Sequence, residues 1–198
     1  MEMTSFEKQI VNAPWFNQLL ARFYFPKRFA RIDRTLKGRV LEIGCGAGWT
    51  THLLFQHLSS TQITAIDFDE QQIEEARQRF AQLGTAAGRV QFLQGDATQL
   101  SLPDATYEAA FEFHVFHHIK GYVKAIREIF RVLKPGGHFY ALDLGRAFFG
   151  PLVSRLFPPE ITFTRGEFAG QMRAAGFKIE EEFGGEKFFM IHGSRPAA

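Results

Sequence analysis

Residues 40–51, Val-Leu-Glu-Ile-Gly-Cys-Gly-Ala-Gly-Trp-Thr-Thr, limit what this chain can fold into more than any other stretch. The apolar start predicts a buried strand, and a segment with helical spacing follows Gly44, Gly46 and Gly48. Because glycine has no Cβ, its backbone N–H and C=O groups can approach a ligand closely. A strand, a glycine-rich turn and a helix in this order predict a ligand-binding corner at the carboxyl edge of a parallel sheet.

The spacing of the glycines limits which ligand this corner accepts. The dinucleotide fingerprint requires Gly-x-Gly-x-x-Gly, but here the third glycine comes one residue early and Trp49 stands at the last position. The sequence also has no Gly-x-x-x-x-Gly-Lys-Ser/Thr phosphate loop. A pyrophosphate-bearing nucleotide is therefore disfavoured, although a turn that only tightens the strand–helix connection would have the same glycines.

The order of the segments predicts one α/β domain. The chain has 198 residues, 45% of them apolar and 22% charged, which suits a single domain with a sizeable core. Strand patterns alternate with amphipathic helix patterns, so we expect right-handed crossovers and a parallel sheet with helices on both faces. The predicted strands are residues 40–43, 62–67, 90–94, 107–113 and 138–142, and the predicted helices include residues 70–83 and 122–133.

The last part of the chain predicts a different arrangement. A capping box, Thr164-Arg165-Gly166-Glu167, begins a helix that Gly176 ends. Residues 177–183 alternate as a strand, a Gly-Gly turn follows, and residues 187–192 return as an antiparallel strand. Because the returning strand is apolar on both faces, we expect it in the interior of the sheet.

We divide this domain into three segments. Residues 1–36 are predicted to form a helical lid, residues 37–145 a cofactor-binding core, and residues 146–198 an excursion, a helix and the terminal hairpin. The lid either covers a ligand and touches a membrane surface or an acidic partner, or packs on the sheet with a solvated basic face. Its aromatic and basic residues are Phe6, Trp15, Phe16, Phe23, Tyr24, Phe25, Lys27, Arg28, Phe29, Arg31 and Arg34.

Composition restricts the class of protein further. The net charge is +2 without a long basic block, which argues against a nucleic-acid groove. The single cysteine excludes an internal disulfide and fits a reducing, cytoplasmic compartment, and we expect neither a signal peptide nor a membrane span. The 23 phenylalanines predict an aromatic core or an aromatic-lined cavity.

Two aspartates follow predicted strands at the edge where the glycine turn lies. Asp67 ends the second strand, 19 residues after Gly48, and its carboxylate can accept hydrogen bonds from both hydroxyls of a ribose. Asp96 follows the third strand, where a carboxylate can accept from an exocyclic adenine amine; an ordinary Gly-Asp turn is the alternative. Asp69 is better placed than Asp67 to cap the next helix.

These segments resemble successive motifs of the class I S-adenosylmethionine-dependent methyltransferases, and the strand-four stretch is similar to their ubiquinone-biosynthesis-like small-molecule branch. The resemblance implies a Rossmann-like, seven-stranded, mostly parallel sheet and S-adenosylmethionine as cofactor. The motifs are residues 40–51, Ala65-Ile66-Asp67, Gly95-Asp96-Ala97, residues 107–119 ending in Phe116-His117-His118-Ile119, and residues 131–137.

By this resemblance, Asp67 binds the ribose, Asp96 with Ala97 binds the adenine, and the glycine-loop backbone binds the methionine moiety. Glu108 and Glu112 depart from the family, which usually has aspartate and a small polar residue there, so Glu112 contacts either the cofactor's positive charge or the substrate. The complete predicted cofactor site is Glu42, Gly44, Cys45, Gly46, Gly48, Asp67, Phe68, Asp96, Ala97 and Glu112.

A base is required if the methyl acceptor is a hydroxyl or a carbon acid, and His117 is the candidate. The alternative is that the histidine pair caps or packs the start of a helix. His114 and His118 have the i, i+4 spacing of a metal pair, but no third ligand follows in the sequence, so we predict no metal. Trp49 or Phe113 could place an aromatic face against the sulfonium.

We expect a small, apolar or amphipathic acceptor, such as a quinone-like or lipid-like molecule, with peripheral membrane contact as an option and no nucleic acid. The sequence does not specify an oligomeric state. Alternative functions are a nucleic-acid or protein methyltransferase and a non-catalytic cofactor-binding regulatory module. The sequence after strand four is Glu-Phe-His-Val instead of the Asn/Asp-Pro-Pro-Tyr of base-amine methyltransferases, and Cys45 lies inside the glycine loop, which disfavours cytosine C5 methylation.

Overall fold

The strands of this protein form a seven-stranded sheet in a computed structural model that describes residues 12–59, 61–84, 88–149 and 162–197. The strands are β1 Gly38–Ile43, β2 Thr61–Asp67, β3 Val90–Gln94, β4 Tyr107–Phe113, β5 Leu133–Leu144, β6 Lys178–Gly184 and β7 Phe188–Ser194. Their order is β3-β2-β1-β4-β5-β7-β6. Strands β1 to β5 pair in parallel, and β7 is antiparallel to both of its neighbours. The predicted Rossmann-like sheet with a terminal antiparallel hairpin is therefore confirmed.

Helices cover both faces of the sheet, as predicted. One buried cluster joins the N-terminal helices, α3 and α4 to one face, and a second cluster joins α5 and α6 to the other. The helices are α1 Pro14–Leu19, which continues as a π-helical turn Leu20–Tyr24, α2 Pro26–Phe29, α3 Trp49–His57, α4 Glu70–Leu83, α5 Tyr122–Val132 and α6 Arg165–Ala174. Short 3-10 turns occupy Phe116–His118 and Arg146–Phe148.

The helix ends follow the capping signals in the sequence. The Asp69 side chain accepts a hydrogen bond from the backbone N–H of Gln71 at the start of α4, and Gly84 ends that helix in the left-handed conformation. The predicted capping box between Thr164 and Glu167 is present at α6. These local interactions fix the directions in which the helices leave the sheet.

Strand β7 is buried on both sides, which explains its continuous apolar sequence. Phe189 and Ile191 belong to the cluster under α5 and α6, whereas Met190 belongs to the cluster under α3 and α4. Its place between β5 and β6 confirms the interior position predicted for the returning strand.

Two predicted element boundaries were wrong. Helix was predicted up to residue 36, but α2 ends at Phe29, and the Asp33 carboxylate accepts from the N–H and hydroxyl of Thr35 in a local turn instead. Strand β5 begins at Leu133 rather than at residue 138, because the Pro-Gly-Gly stretch does not end the strand: Gly136 turns with a φ of +79°, and Gly136 and Gly137 exchange backbone hydrogen bonds with Arg195. Residues 4–11, with Phe6, lie outside the described residues. So does most of the excursion, with Leu152, Val153, Leu156 and Phe157, whose apolar side chains were expected to form a wall of the acceptor pocket.

Candidate active site

A cavity of about 750 Å³ opens at the carboxyl ends of the central strands. The glycine loop after β1 and the segments after β2 and β3 form one side, and the turn after β4 forms the other. Phe16, Leu20 and Tyr24 of the N-terminal helices complete the wall, and the 3-10 turn after β5 and the start of β7 contribute Phe148 and Phe188. This volume is in the range of small-molecule sites, and its place is where open α/β sheets bind ligands.

The glycine loop is held tightly against the edge of the sheet. The N–H groups of Gly44 and Cys45 both donate to the Ile66 carbonyl, at 2.8 and 3.0 Å. Gly44 has a φ of +69°, and a Cβ added there would lie 2.4 Å from the methyl groups of Val115. The close approach of this loop to the turn after β4 therefore requires glycine at position 44.

Asp67 connects the glycine loop to the cavity. One oxygen of its carboxylate accepts from the Gly46 N–H at 2.8 Å, and the other accepts from the Asp69 N–H at 2.9 Å. These bonds hold the side chain at the cavity wall, and each carboxylate oxygen can accept more than one hydrogen bond. The carboxylate is thus positioned by the same backbone that lines the site.

Asp96 reaches the same cavity from the end of β3. Its Oδ1 accepts from the backbone N–H and the hydroxyl of Thr98, both at 2.8 Å, and Ala97 and the exposed Phe68 line the wall nearby. The turn at Asp96 is therefore an ordinary Asx turn and a part of the cavity wall at once. Both aspartates line this one cavity, and their cofactor roles stay predictions.

The described side chains give the cavity a negative character. Three carboxylates line it, those of Asp67, Asp69 and Asp96, whereas Lys120 is the single lysine or arginine among the described lining residues. Such a wall favours a cationic ligand over one that carries a pyrophosphate.

Glu42, Gly48 and Glu112 belong to the predicted cofactor site, but they are not among the described residues that line the cavity. Gly48 caps the start of α3. The cofactor roles assigned to these three residues stay predictions. The remaining seven predicted residues, Gly44, Cys45, Gly46, Asp67, Phe68, Asp96 and Ala97, all line the wall.

Glu42 is fully buried beneath the glycine loop. Its Oε1 accepts from the Thr50 hydroxyl at 2.5 Å, which ties β1 to the first turn of α3. Burial raises the pKa of this carboxyl to about 7. Its Oε2 has no hydrogen-bond partner among the described residues.

Glu112 is also fully buried, near the end of β4. Its Oε2 accepts from the Val115 N–H at 3.3 Å, and Oε1 has no partner within the described part of the chain. Burial, together with the negative charge of Asp143, raises the pKa of Glu112 well above its usual range.

His117 lines the cavity and is paired with Asp143, a residue that the sequence reasoning missed. Asp143 follows the apolar part of β5 and is fully buried. Its Oδ1 lies 2.5 Å from His117 Nδ1, and its Oδ2 accepts from the His117 backbone N–H at 3.1 Å. Burial acts to raise the pKa of Asp143, but the adjacent His117 and, more weakly, His114 hold that pKa below its usual range.

Two further polar rings line the cavity beside this pair. His114 has a φ of +60°, which is uncommon for a residue other than glycine, and burial lowers its pKa to about 4. Its ring lies 5.3 Å from that of Tyr24, and burial raises the tyrosine pKa. Both groups are neutral at physiological pH. Trp49 and Phe113, the predicted aromatic contacts of a sulfonium, also line the cavity.

Among the described residues, no three histidine, cysteine, aspartate or glutamate side chains lie together in a way that could hold a metal ion. Within the same residues, every helix is too short or too polar to span a bilayer.

Residues 41–141 match the family described as Methyltransferase domain. The chain is 30% identical over 159 residues to a Mycolicibacterium smegmatis protein named "Probable S-adenosylmethionine-dependent methyltransferase", covering 79% of this chain and 58% of that protein. It is 33% identical over 135 residues to a demethylmenaquinone methyltransferase of Leptospira interrogans, covering 67% of this chain and 54% of that protein. This chain thus matches little more than half the length of these curated relatives.

A solved structure confirms the fold. The crystal structure of a SAM-dependent methyltransferase from Aquifex aeolicus superimposes with a TM-score of 0.78 at 22% identity, over 98% of this chain and 100% of that one.

Proposed function

This chain belongs to the methyltransferase domain family, and from its cavity we propose that it transfers a methyl group from S-adenosylmethionine to a small, apolar or amphipathic acceptor. The observation that carries the proposal is that Asp67 and Asp96 line one cavity beside the open backbone of Gly46.

The donors of an adenosyl sulfonium suit the acceptors in this wall. The two ribose hydroxyls can donate to Asp67 and the adenine amine to Asp96, while Phe68 offers an exposed ring beside them. An excess of aspartate favours the positive charges of the sulfonium and the amino group. Trp49 and Phe113 also line the cavity, where an aromatic ring can stabilise a cation.

His117 is the proposed general base. When bound, S-adenosylmethionine supplies an electrophilic methyl group. Because Asp143 is ionised and can only accept, His117 Nδ1 donates to it, which leaves Nε2 to remove a proton from the acceptor. Phe16, Leu20 and Tyr24 cover the cavity and exclude water.

The apolar wall supports the choice of acceptor. Phe16, Phe148 and Phe188 also line the cavity and offer rings to an apolar or aromatic molecule. The relative named demethylmenaquinone methyltransferase makes a quinone-like acceptor the first to test. A nucleic-acid acceptor is disfavoured by the negative wall.

Calorimetry with S-adenosylmethionine tests the cofactor site. We expect the wild type to bind, and Asp67→Ala and Asp96→Ala to weaken binding by about tenfold or more, since each removes a charged acceptor. Asp33→Ala is the matched control, because Asp33 also closes an Asx turn with a threonine two residues on but lies off the cavity. No binding by the wild type, or equal binding by Asp67→Ala, would show that the site assignment is wrong.

A transfer assay with labelled S-adenosylmethionine tests the acceptor class. Quinols, a lipid extract, RNA and a peptide mixture are offered separately, and we expect label in the quinol or lipid fraction. Label in RNA or peptide would contradict the acceptor proposal. Binding of S-adenosylmethionine without transfer to any acceptor, including a whole-cell extract, would favour the regulatory module instead.

A further inference from the structure

The N-terminal helix Pro14–Leu19 and its π-helical continuation carry two apolar faces. Phe16, Leu20 and Tyr24 face the cavity and line it. The residues one position earlier form a second row that faces solvent, which we call the outer stripe: Trp15, Leu19 and Phe23, exposed by 65%, 50% and 67%. A row of large apolar side chains in water is unfavourable and marks a contact surface.

The described segment that carries the outer stripe is positively charged. Residues 12–31 contain four basic residues and no aspartate or glutamate. Arg28 and Arg31 turn inward, onto the Tyr24 carbonyl and onto Glu181. Arg22 and Lys27 are exposed, and no carboxylate of the described residues lies within salt-bridge distance of them. The Arg22 guanidinium lies 5.6 Å from the Phe23 ring of the stripe, and Lys27 follows on α2.

We propose that the outer stripe docks on an anionic lipid surface. A helix with tryptophan, leucine and phenylalanine in one row and basic residues alongside has the composition of helices that lie in the membrane interface. Arg22 and Lys27 would contact lipid phosphates, while the three apolar side chains enter the boundary between headgroups and acyl chains. An acidic face of a partner protein would satisfy the two cations but not the apolar row.

The docked surface lies next to the cavity. Phe148 is exposed and lines the cavity, and its ring lies 5.1 Å from that of Phe188, which in turn lies 5.8 Å from Tyr24 on the inner face of the stripe helix. An amphipathic molecule could therefore pass from the bilayer along aromatic side chains into the site. This consequence rests on the proposed function, whereas the docking itself does not.

Sedimentation with vesicles tests the docking without cofactor or acceptor. We expect the protein to bind vesicles of mixed phosphatidylglycerol and phosphatidylcholine, and to bind phosphatidylcholine alone far more weakly. Trp15→Ser/Leu19→Ser/Phe23→Ser should reduce binding by about tenfold or more. Leu83→Ser is the matched control, since Leu83 is 40% exposed on another helix. The double variant Arg22→Glu/Lys27→Glu should also lose binding to the anionic vesicles. The charge-matched control Lys124→Glu/Arg127→Glu on α5 should still bind them.

A fluorescence measurement covers the case in which the triple variant does not fold. Brominated lipids should quench Trp15, and the conservative Trp15→Phe variant should still bind vesicles but lose that quenching, because Trp49 lies at the cavity. Absence of wild-type binding to the anionic vesicles, unchanged binding by the folded triple variant, or quenching that persists in Trp15→Phe would overturn the proposal. If the wild type is a dimer that does not bind vesicles, and the stripe substitutions convert it to a monomer, the outer stripe contacts a second copy of this chain instead. None of these results tests the methyl-transfer proposal, so either proposal can be wrong while the other is right.

Discussion

His117 Nδ1 lies 2.5 Å from Asp143 Oδ1, and this contact joins the turn after β4 to the end of β5 at the cavity wall. Asp143 also accepts from the backbone N–H groups of His117 and Leu144, so three donors surround one buried carboxylate. The imidazole is fixed in position and in the direction of its proton. That arrangement is typical of a base oriented by a carboxylate.

The first prediction concerns Asp143→Asn. The amide keeps the shape but can donate to His117 Nδ1, so the imidazole is no longer held in the Nδ1–H tautomer. We expect kcat to fall by roughly 10²–10⁴-fold for an acceptor that must lose a proton. The affinity for S-adenosylmethionine should change less than about twofold, since Asp143 lies outside the predicted cofactor site. Calorimetry and steady-state kinetics measure the two effects.

Nitrogen NMR checks the tautomer directly. Neutral His117 should carry its proton on Nδ1 in the wild type and lose this preference in Asp143→Asn. His138→Gln is the control, because His138 pairs with His192 rather than with a cavity residue. An unchanged tautomer together with an unchanged kcat would mean that the His117–Asp143 pair is only a structural contact. That outcome agrees with the alternative interpretation of the sequence, in which the histidine pair caps or packs the start of a helix.

The second prediction separates two reasons for glycine at position 44. Gly44 and Gly84 have similar positive φ values, +69° and +61°, but only at Gly44 would a Cβ meet another residue, Val115. We expect Gly84→Ala to lower the free energy of unfolding by about 1–2 kcal/mol. Gly44→Ala should lower it by roughly 1–3 kcal/mol more, because the added methyl group overpacks the site.

Urea denaturation measures both variants. The double variant Gly44→Ala/Val115→Ala should recover part of the additional loss, since it removes the two methyl groups nearest the new Cβ. Equal destabilisation by the two alanine substitutions would mean that the approach to Val115 is unimportant, and that only the backbone conformation requires glycine.

The glycine loop and the two aspartates could be predicted because each depends on a local rule. A carboxylate at the end of a parallel strand lies at the ligand-binding edge, and this rule placed Asp67 and Asp96 correctly in one cavity. The same rule would have found Asp143, which follows an apolar run in the fifth strand. It was missed because no family motif drew attention to that position.

The environment of Glu42 could not be predicted from its place in the motif. Leu41 and Ile43 point to one core and Val40 to the other, so the alternation of β1 directs Glu42 to the face covered by α3. There it meets Thr50 instead of the cavity. Likewise, the sequence of the N-terminal helices shows many aromatics, but only their packing shows which of them line the cavity and which lie outside.

The third prediction concerns pH. The folded-state pKa of Glu42 is about 7, above the ordinary value of 4.5, so between these values the folded protein binds a proton that the unfolded chain has released. Stability must therefore fall as pH rises through this window, and the loss is complete above pH 7, at roughly 3 kcal/mol for a shift of this size. Glu42→Gln removes the titration, so the variant should gain stability relative to the wild type as pH rises.

Urea denaturation at several pH values from 5 to 8 measures the difference between the wild type and Glu42→Gln. The raised pKa of Glu112 acts equally in both proteins, so the difference between them isolates Glu42. Glu74→Gln, at an exposed position on α4, should follow the wild type throughout. Parallel profiles for the wild type and Glu42→Gln would mean that Glu42 is ionised in the folded protein, with a cation or ordered water at its Oε2.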